Sequence, residues 1–88
     1  MHQTHPAIAK RLRRANGHLA SIIGMLAEGR PCIELAHQLH AVEKAIDNAK
    51  KALIHDHINH CLEESTGGRG NSQARKLVGE FREIAKYL

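Results

Sequence analysis

Tryptophan is absent from this chain of 88 residues, and tyrosine and phenylalanine occur once each, as Tyr87 and Phe81. Any core must therefore be built from Leu, Ile, Val and Ala, which suits packed helices better than a sheet, because strands favour aromatic and β-branched residues. The scarcity of aromatic rings also argues against single-stranded nucleic acid as a partner, since unpaired bases are held by stacking. No apolar run approaches the eighteen or so residues that cross a bilayer, and the first residues hold no apolar stretch of the kind found in a secretory signal. The expected location is the cytoplasm, with no membrane partner. A mass of 9.8 kDa leaves room for one domain, residues 1–88, and rules out a multidomain enzyme. Neither a glycine-rich phosphate loop nor a Ser/His/Asp order is present. The chain is accordingly read as a non-enzyme with no small organic substrate.

Acidic side chains are also missing from residues 1–27, where the charged groups are Lys10, Arg11, Arg13 and Arg14. The whole chain has 13 Lys and Arg against 9 Asp and Glu, a formal charge of +4. A basic segment without acids points to a polyanion, with nucleic acid first among the candidates. Histidine, in contrast, is abundant at 8 residues, and there are 2 cysteines, Cys32 and Cys61. One disulfide is conceivable, but in a short cytosolic chain a Cys and His cluster is more often metal-binding or reactive.

Periodicity divides the chain into three helices. Ile8, Leu12, Ala15, Leu19, Ile22 and Leu26 recur at spacings of 4, 3, 4, 3 and 4, a stripe that predicts a helix over about residues 6–28. Thr4 or His5 can cap it, with Pro6 in its first turn. Gly17 and Gly24 lie inside it, either to admit another backbone closely or as tolerated surface positions. Gly29-Arg30-Pro31 is a break. Leu35, Leu39, Val42, Ile46, Ala49 and Leu53 then repeat the same spacing without an internal Gly or Pro, predicting one helix over about residues 31–65, roughly 50 Å long. A chain this small cannot cover such a rod, so an intermolecular helical bundle is expected. Residues 66–71 form a glycine-rich connector. Ser72 is the expected cap of a third helix, about residues 72–87, with Leu77, Phe81, Ile84 and Leu88 on its apolar face.

His57 and Cys61 are four residues apart on the second helix, the spacing by which a helix presents two ligands to one metal. Cys32 opens the same helix 25 residues before His57, a separation of about 37 Å and far beyond any ligand distance. If the three residues bind one ion, Cys32 must come from another subunit, and antiparallel pairing of two such helices brings the start of one beside the end of the other. His18, His37 and His40 are better read as packing or surface residues than as ligands.

The Cys32, His57 and Cys61 spacing, on a helix preceded by a basic helix carrying Arg14-Ala15-Asn16-Gly17-His18-Leu19, resembles the CsoR/RcnR family of metal-sensing transcriptional repressors over nearly the whole chain. The resemblance implies an all-α protein of three helices, an antiparallel four-helix-bundle dimer and a dimer of dimers. It implies repression of double-stranded operator DNA by the metal-free tetramer and release on metal binding. Cys32 of one subunit with His57 and Cys61 of its partner would be ligands, and Arg14 with nearby Lys10, Arg11 and Arg13 would meet DNA. Copper(I) sensors of the family use this three-ligand set. Nickel and cobalt sensors add a nitrogen near the N-terminus, where His2, His5 and an α-amine are available, and the His-rich start most resembles that branch. Nickel(II) or cobalt(II) is thus the expected metal, with copper(I) or zinc(II) as alternatives.

Two departures from the family pattern stand out. Glu43-Lys44 occupies the middle of helix two where relatives commonly have Arg-Gly or Arg-Ala, leaving Lys44, Lys50 and Lys51 as DNA-contacting or solvated cations. His60 stands where an acid is frequent, as a replacement ligand or a tuning group. A reading of another class remains open, with Cys32 as a thiol sensor of aldehydes or persulfide, or the chain as a metal buffer. Retention of His57 argues for metal.

Overall fold

A computed structural model describes the backbone of residues 5–65 and 71–88, and the side chains of residues 5–60, 75, 76 and 78–88. The chain forms α1 (His5–Ala27), α2 (Cys32–Ser65) and α3 (Asn71–Ala85), with no strand among the described residues. His5 is thus the first residue of α1 rather than its cap, and α3 opens at Asn71 rather than after a Ser72 cap. His2, Thr4 and residues 66–70 of the expected connector lie outside the described residues.

The break after α1 has a clear physical origin. Gly29 adopts φ +73°, the left-handed region where a side chain is strained. The Arg30 N–H donates to the Met25 carbonyl at 3.1 Å and the Gly29 N–H to the Leu26 carbonyl at 3.1 Å. Together these bonds form a Schellman cap that closes the last turn. Pro31, which cannot prolong α1, then offers its carbonyl to the Leu35 N–H at 3.1 Å and starts α2. The chain therefore reverses within a few residues, and α1 folds back antiparallel along α2.

Each apolar stripe is split in two. Ile8, Ala15 and Ile22 on α1 and Leu35, Val42, Ala49 and Ile54 on α2 are buried. Ile22, Leu35 and Val42 form the central cluster, with Met25 packed against it. Burying a side chain such as Ile22 or Ile54 contributes about 1.5–3 kcal/mol. The alternate members, Leu12, Leu19 and Leu26 on α1 and Leu39, Ile46 and Leu53 on α2, stay 39–59% exposed. Apart from Ile54, the hairpin thus uses one heptad position of each helix internally and displays the other.

α3 packs against α2, and the molecule measures 60 × 23 × 13 Å with a radius of gyration of 18.2 Å. A compact domain of this length would have a radius of about 12 Å, so this is an open, flat protomer. A Cβ placed at Gly17 or Gly24 meets nothing within 4 Å. The close backbone approach considered for these glycines does not occur within the protomer. No helix is long and apolar enough, among the described residues, to cross a membrane.

Candidate functional site

The structure separates the candidate ligands into two ends. Cys32 is the first residue of α2 and is exposed, placed there by the Gly29 cap and Pro31. His57 is half-buried, about seven turns further along α2, and about 37 Å away at 1.5 Å per residue. Cys61 lies one turn beyond His57 in the same helix, with its side chain outside the described residues. Among the described residues, no three His, Cys, Asp or Glu side chains converge as a metal-holding group. Cys32 and His57 of one protomer are therefore not brought together.

The far end of α2 is richer than the spacing alone indicates. The antiparallel hairpin returns the start of α1 to this end, where His5 Nε2 lies 3.7 Å from Asp56 Oδ2. Asp56 immediately precedes His57, and its side chain is only 16% exposed. His60 is exposed and one turn on from His57, and His55 is also exposed. On the other side, His57 borders a groove of about 310 Å³ with Glu80, Glu83, Ile84 and Tyr87 of α3. Asp56 and these α3 residues were not among the sequence-derived candidates. Phe81 and Ile84 marked an apolar face for α3, but periodicity does not say which helix that face meets.

The basic residues gather midway along the hairpin. Lys10, Arg11, Arg13, Arg14 and Lys44 are all exposed. Arg11 and Arg14 line a cleft of about 280 Å³ with Ala15, His18, Ala45 and Asn48. His18, half-buried, donates from Nε2 to Gln38 Oε1 at 2.6 Å and so joins the two helices beside this cleft. On α2, Lys44, Asn48 and Lys51 follow at helical spacing, extending the cationic band across the hairpin.

Lys50 and Lys51 have a local acid. Lys51 Nζ is 3.0 Å from Asp47 Oδ2 and Lys50 Nζ is 3.4 Å from Asp47 Oδ1. The hydrogen bond from Lys51, reinforced by Lys50, holds the Asp47 carboxyl below the ordinary aspartate range against a smaller opposing effect of burial. Arg30 is likewise engaged, by Glu34 one turn on and by Glu28 at 3.5 Å, which raises its pKa, mainly through the Glu34 hydrogen bond. Arg30 is thus set apart from the band containing Arg11 and Arg14.

Known proteins give a consistent comparison. The family described as metal-sensitive transcriptional repressors matches residues 4–87. The copper-sensing transcriptional repressor CsoR of Mycobacterium ulcerans is 33% identical over 73 residues, covering 82% of this chain and 62% of that protein. The chain thus spans somewhat less than two thirds of that relative's length. The copper-sensing transcriptional repressor RicR of Mycobacterium tuberculosis is 32% identical over 80 residues, covering 91% of this chain and 83% of that one. CsoR of Bacillus subtilis, also copper-sensing, is 30% identical over 80 residues, or 90% and 79% of the two chains. Among solved structures, the nickel-responsive transcriptional regulator InrS superposes with a TM-score of 0.83 and 26% identity, covering 100% of this chain and 97% of that one.

Proposed function

Because the chain belongs to the family of metal-sensitive transcriptional repressors, we propose that it represses an operator as a metal-free cytoplasmic tetramer and is released by nickel(II) or cobalt(II), derepressing metal efflux. The split apolar stripe is the observation that carries this reading. Cys32, Leu39, Ile46, Leu53 and His60 recur every seven residues along α2, and the three apolar members are exposed in the protomer. The series is symmetric about Ile46. Antiparallel pairing of two α2 helices on a two-fold axis there sets Leu39 opposite Leu53 and closes an isologous interface. The same register sets Cys32 opposite position 60, within reach of His57 and Cys61 of the partner subunit. One pairing thus covers the apolar stripe and assembles the ligand set.

The donor chemistry fits a late first-row metal. Two thiolates and one or two imidazoles suit nickel(II), copper(I), zinc(II) or cobalt(II) and disfavour hard, oxygen-seeking ions. Cys32, His57 and Cys61 would hold the metal, with His5 or His2 as the additional nitrogen and His60 as a further candidate. When bound, the metal supplies coordination bonds that cross-link the subunits. His5 draws the first turn of α1 into that link, and Arg11 and Arg14 are on the same helix. A change in how α1 lies on α2 therefore moves these cations relative to the phosphates they neutralise. Lys10, Arg11, Arg13, Arg14 and Lys44, repeated over four subunits, would give DNA affinity a steep salt dependence. Linkage requires bound DNA to weaken metal binding by the factor by which metal weakens DNA binding.

The position of His5 at the His57 end favours nickel or cobalt, and the nickel-responsive regulator InrS covers the whole chain in superposition. The curated relatives are copper-sensing, which supports copper(I) as the second reading, with the three-ligand set alone. Fluorescence anisotropy of operator DNA, titrated in turn with nickel(II), cobalt(II), copper(I) and zinc(II), separates the two. The proposal expects nickel or cobalt to weaken binding at least tenfold and Cys32→Ala to abolish the effect. Operator affinity unchanged by every metal would overturn it.

A further inference from the structure

We propose that Asp56 is a positioning residue for the metal site, fixing His5, rather than His2, as the additional nitrogen ligand; the inference rests on the metal-sensor reading above. The pairs Lys51–Asp47 and Lys86–Glu83 close within a single turn of one helix, as exposed helical pairs do. His5–Asp56 instead joins the first turn of α1 to the seventh turn of α2, at 3.7 Å between Nε2 and Oδ2. The carboxylate is largely enclosed, 16% exposed, while the imidazole is 44% exposed. The acid is thus the fixed member and the histidine the one being held.

Its place along the chain gives the pair a purpose. Asp56 is the residue before His57, so a histidine anchored to it stands at the level of the ligands on α2. With its Nε2 facing the Asp56 carboxylate at 3.7 Å, the His5 imidazole would coordinate through Nδ1, and the carboxylate would bias its tautomer and ring orientation. Such an outer partner typically contributes 10–100-fold in metal affinity. Without it, His5 at the start of α1 would have to be ordered at the moment of binding, as terminal segments are. Asp56 also accounts for how metal occupancy reaches the DNA face. His5 and the cations Arg11 and Arg14 lie on one continuous helix, so the tether that positions the ligand also connects the site to that helix.

Nickel(II) titration of the full-length protein, followed by thiolate-to-nickel absorption and chelator competition, tests the assignment. Asp56→Ala is expected to weaken nickel binding 10–100-fold and to shift the ligand-field bands to those of His5→Ala. The double variant should lose nothing further, and Asp56→Asn, whose amide oxygen can accept from an imidazole N–H, should recover part of the loss. His2→Ala should leave the spectrum unchanged. Copper(I) affinity should be unaffected by Asp56→Ala. Wild-type nickel spectra in Asp56→Ala, additive losses in the double variant, or an equal loss of copper(I) affinity would overturn the inference. Helicity and sedimentation of each variant identify a folding defect, for which Asp56→Asn is the milder substitute. Failure of the sensor reading itself is seen separately, as nickel uptake that Cys32→Ala leaves intact.

Discussion

His18 Nε2 and Gln38 Oε1 meet at 2.6 Å, a hydrogen bond that ties the middle of α1 to α2 at the edge of the cleft containing Arg11 and Arg14. Such a bond contributes about 1 kcal/mol net, enough to set the register of two helices otherwise joined by nonspecific apolar packing. His18→Ala and Gln38→Ala should each lower stability by roughly 1 kcal/mol. Both should also weaken operator binding through the displaced arginines. A double-mutant cycle on thermal unfolding should show the two losses to be shared rather than additive.

The two halves of each stripe should respond differently to substitution. Ile22→Ala, at 1% exposure in the hairpin core, should cost about 2–5 kcal/mol of folding stability. Ile46→Glu, on the exposed half, should leave helicity largely intact and break the oligomer. Analytical ultracentrifugation, read beside circular dichroism, distinguishes these outcomes.

Asp47 is expected to restrain the α2 contribution to DNA binding. Asp47→Asn removes a carboxylate 3.0 Å from Lys51 and 3.4 Å from Lys50. If those lysines meet phosphates, affinity should rise and the salt slope should steepen by about one to two units. The pH dependence has a definite sign. Because the folded-state carboxyl titrates below its unfolded value, its stabilising contribution is present above the ordinary aspartate range and is lost as pH falls through the lowered value. Unfolding profiles of Asp47→Asn should lack that acid-side component.

Glycines in α1 and after it should behave oppositely. Gly24→Ala meets open space in a helix interior and should stabilise the chain by about 1 kcal/mol. Gly29→Ala forces a side chain into φ +73° and should destabilise it by about 1 kcal/mol. Denaturant midpoints compare the two directly.

These contrasts also indicate what was readable in the residues. The 4, 3, 4, 3, 4 spacings located α1 and α2, and Gly29 and Pro31 located the turn, because periodicity and backbone chemistry are local properties. The division of each stripe into buried Ile8, Ala15 and Ile22 and exposed Leu12, Leu19 and Leu26 was not readable. Both sets are apolar, and the rotation of α1 on α2 decides which is buried. Cys32, His57 and Cys61 stand out as candidate ligands by residue type and spacing, and helix rise alone separates Cys32 from His57 within one chain. The His5–Asp56 and His18–Gln38 pairs depend on interhelical register, which a single-helix pattern does not encode. The meeting of His57 with Glu80, Glu83 and Tyr87 depends further on the path between α2 and α3.

In the proposed function a complete metal site needs two subunits, and complementation between two variants puts that to the test. Cys32→Ala and His57→Ala proteins are unfolded, mixed in equal amounts, refolded together and assayed for bound nickel. Each variant alone should bind no nickel tightly, whereas random pairing should restore about a quarter of the wild-type stoichiometry, since half the dimers hold one intact site of two. A mixture that binds no more nickel than the separate variants would rule out a site shared between subunits.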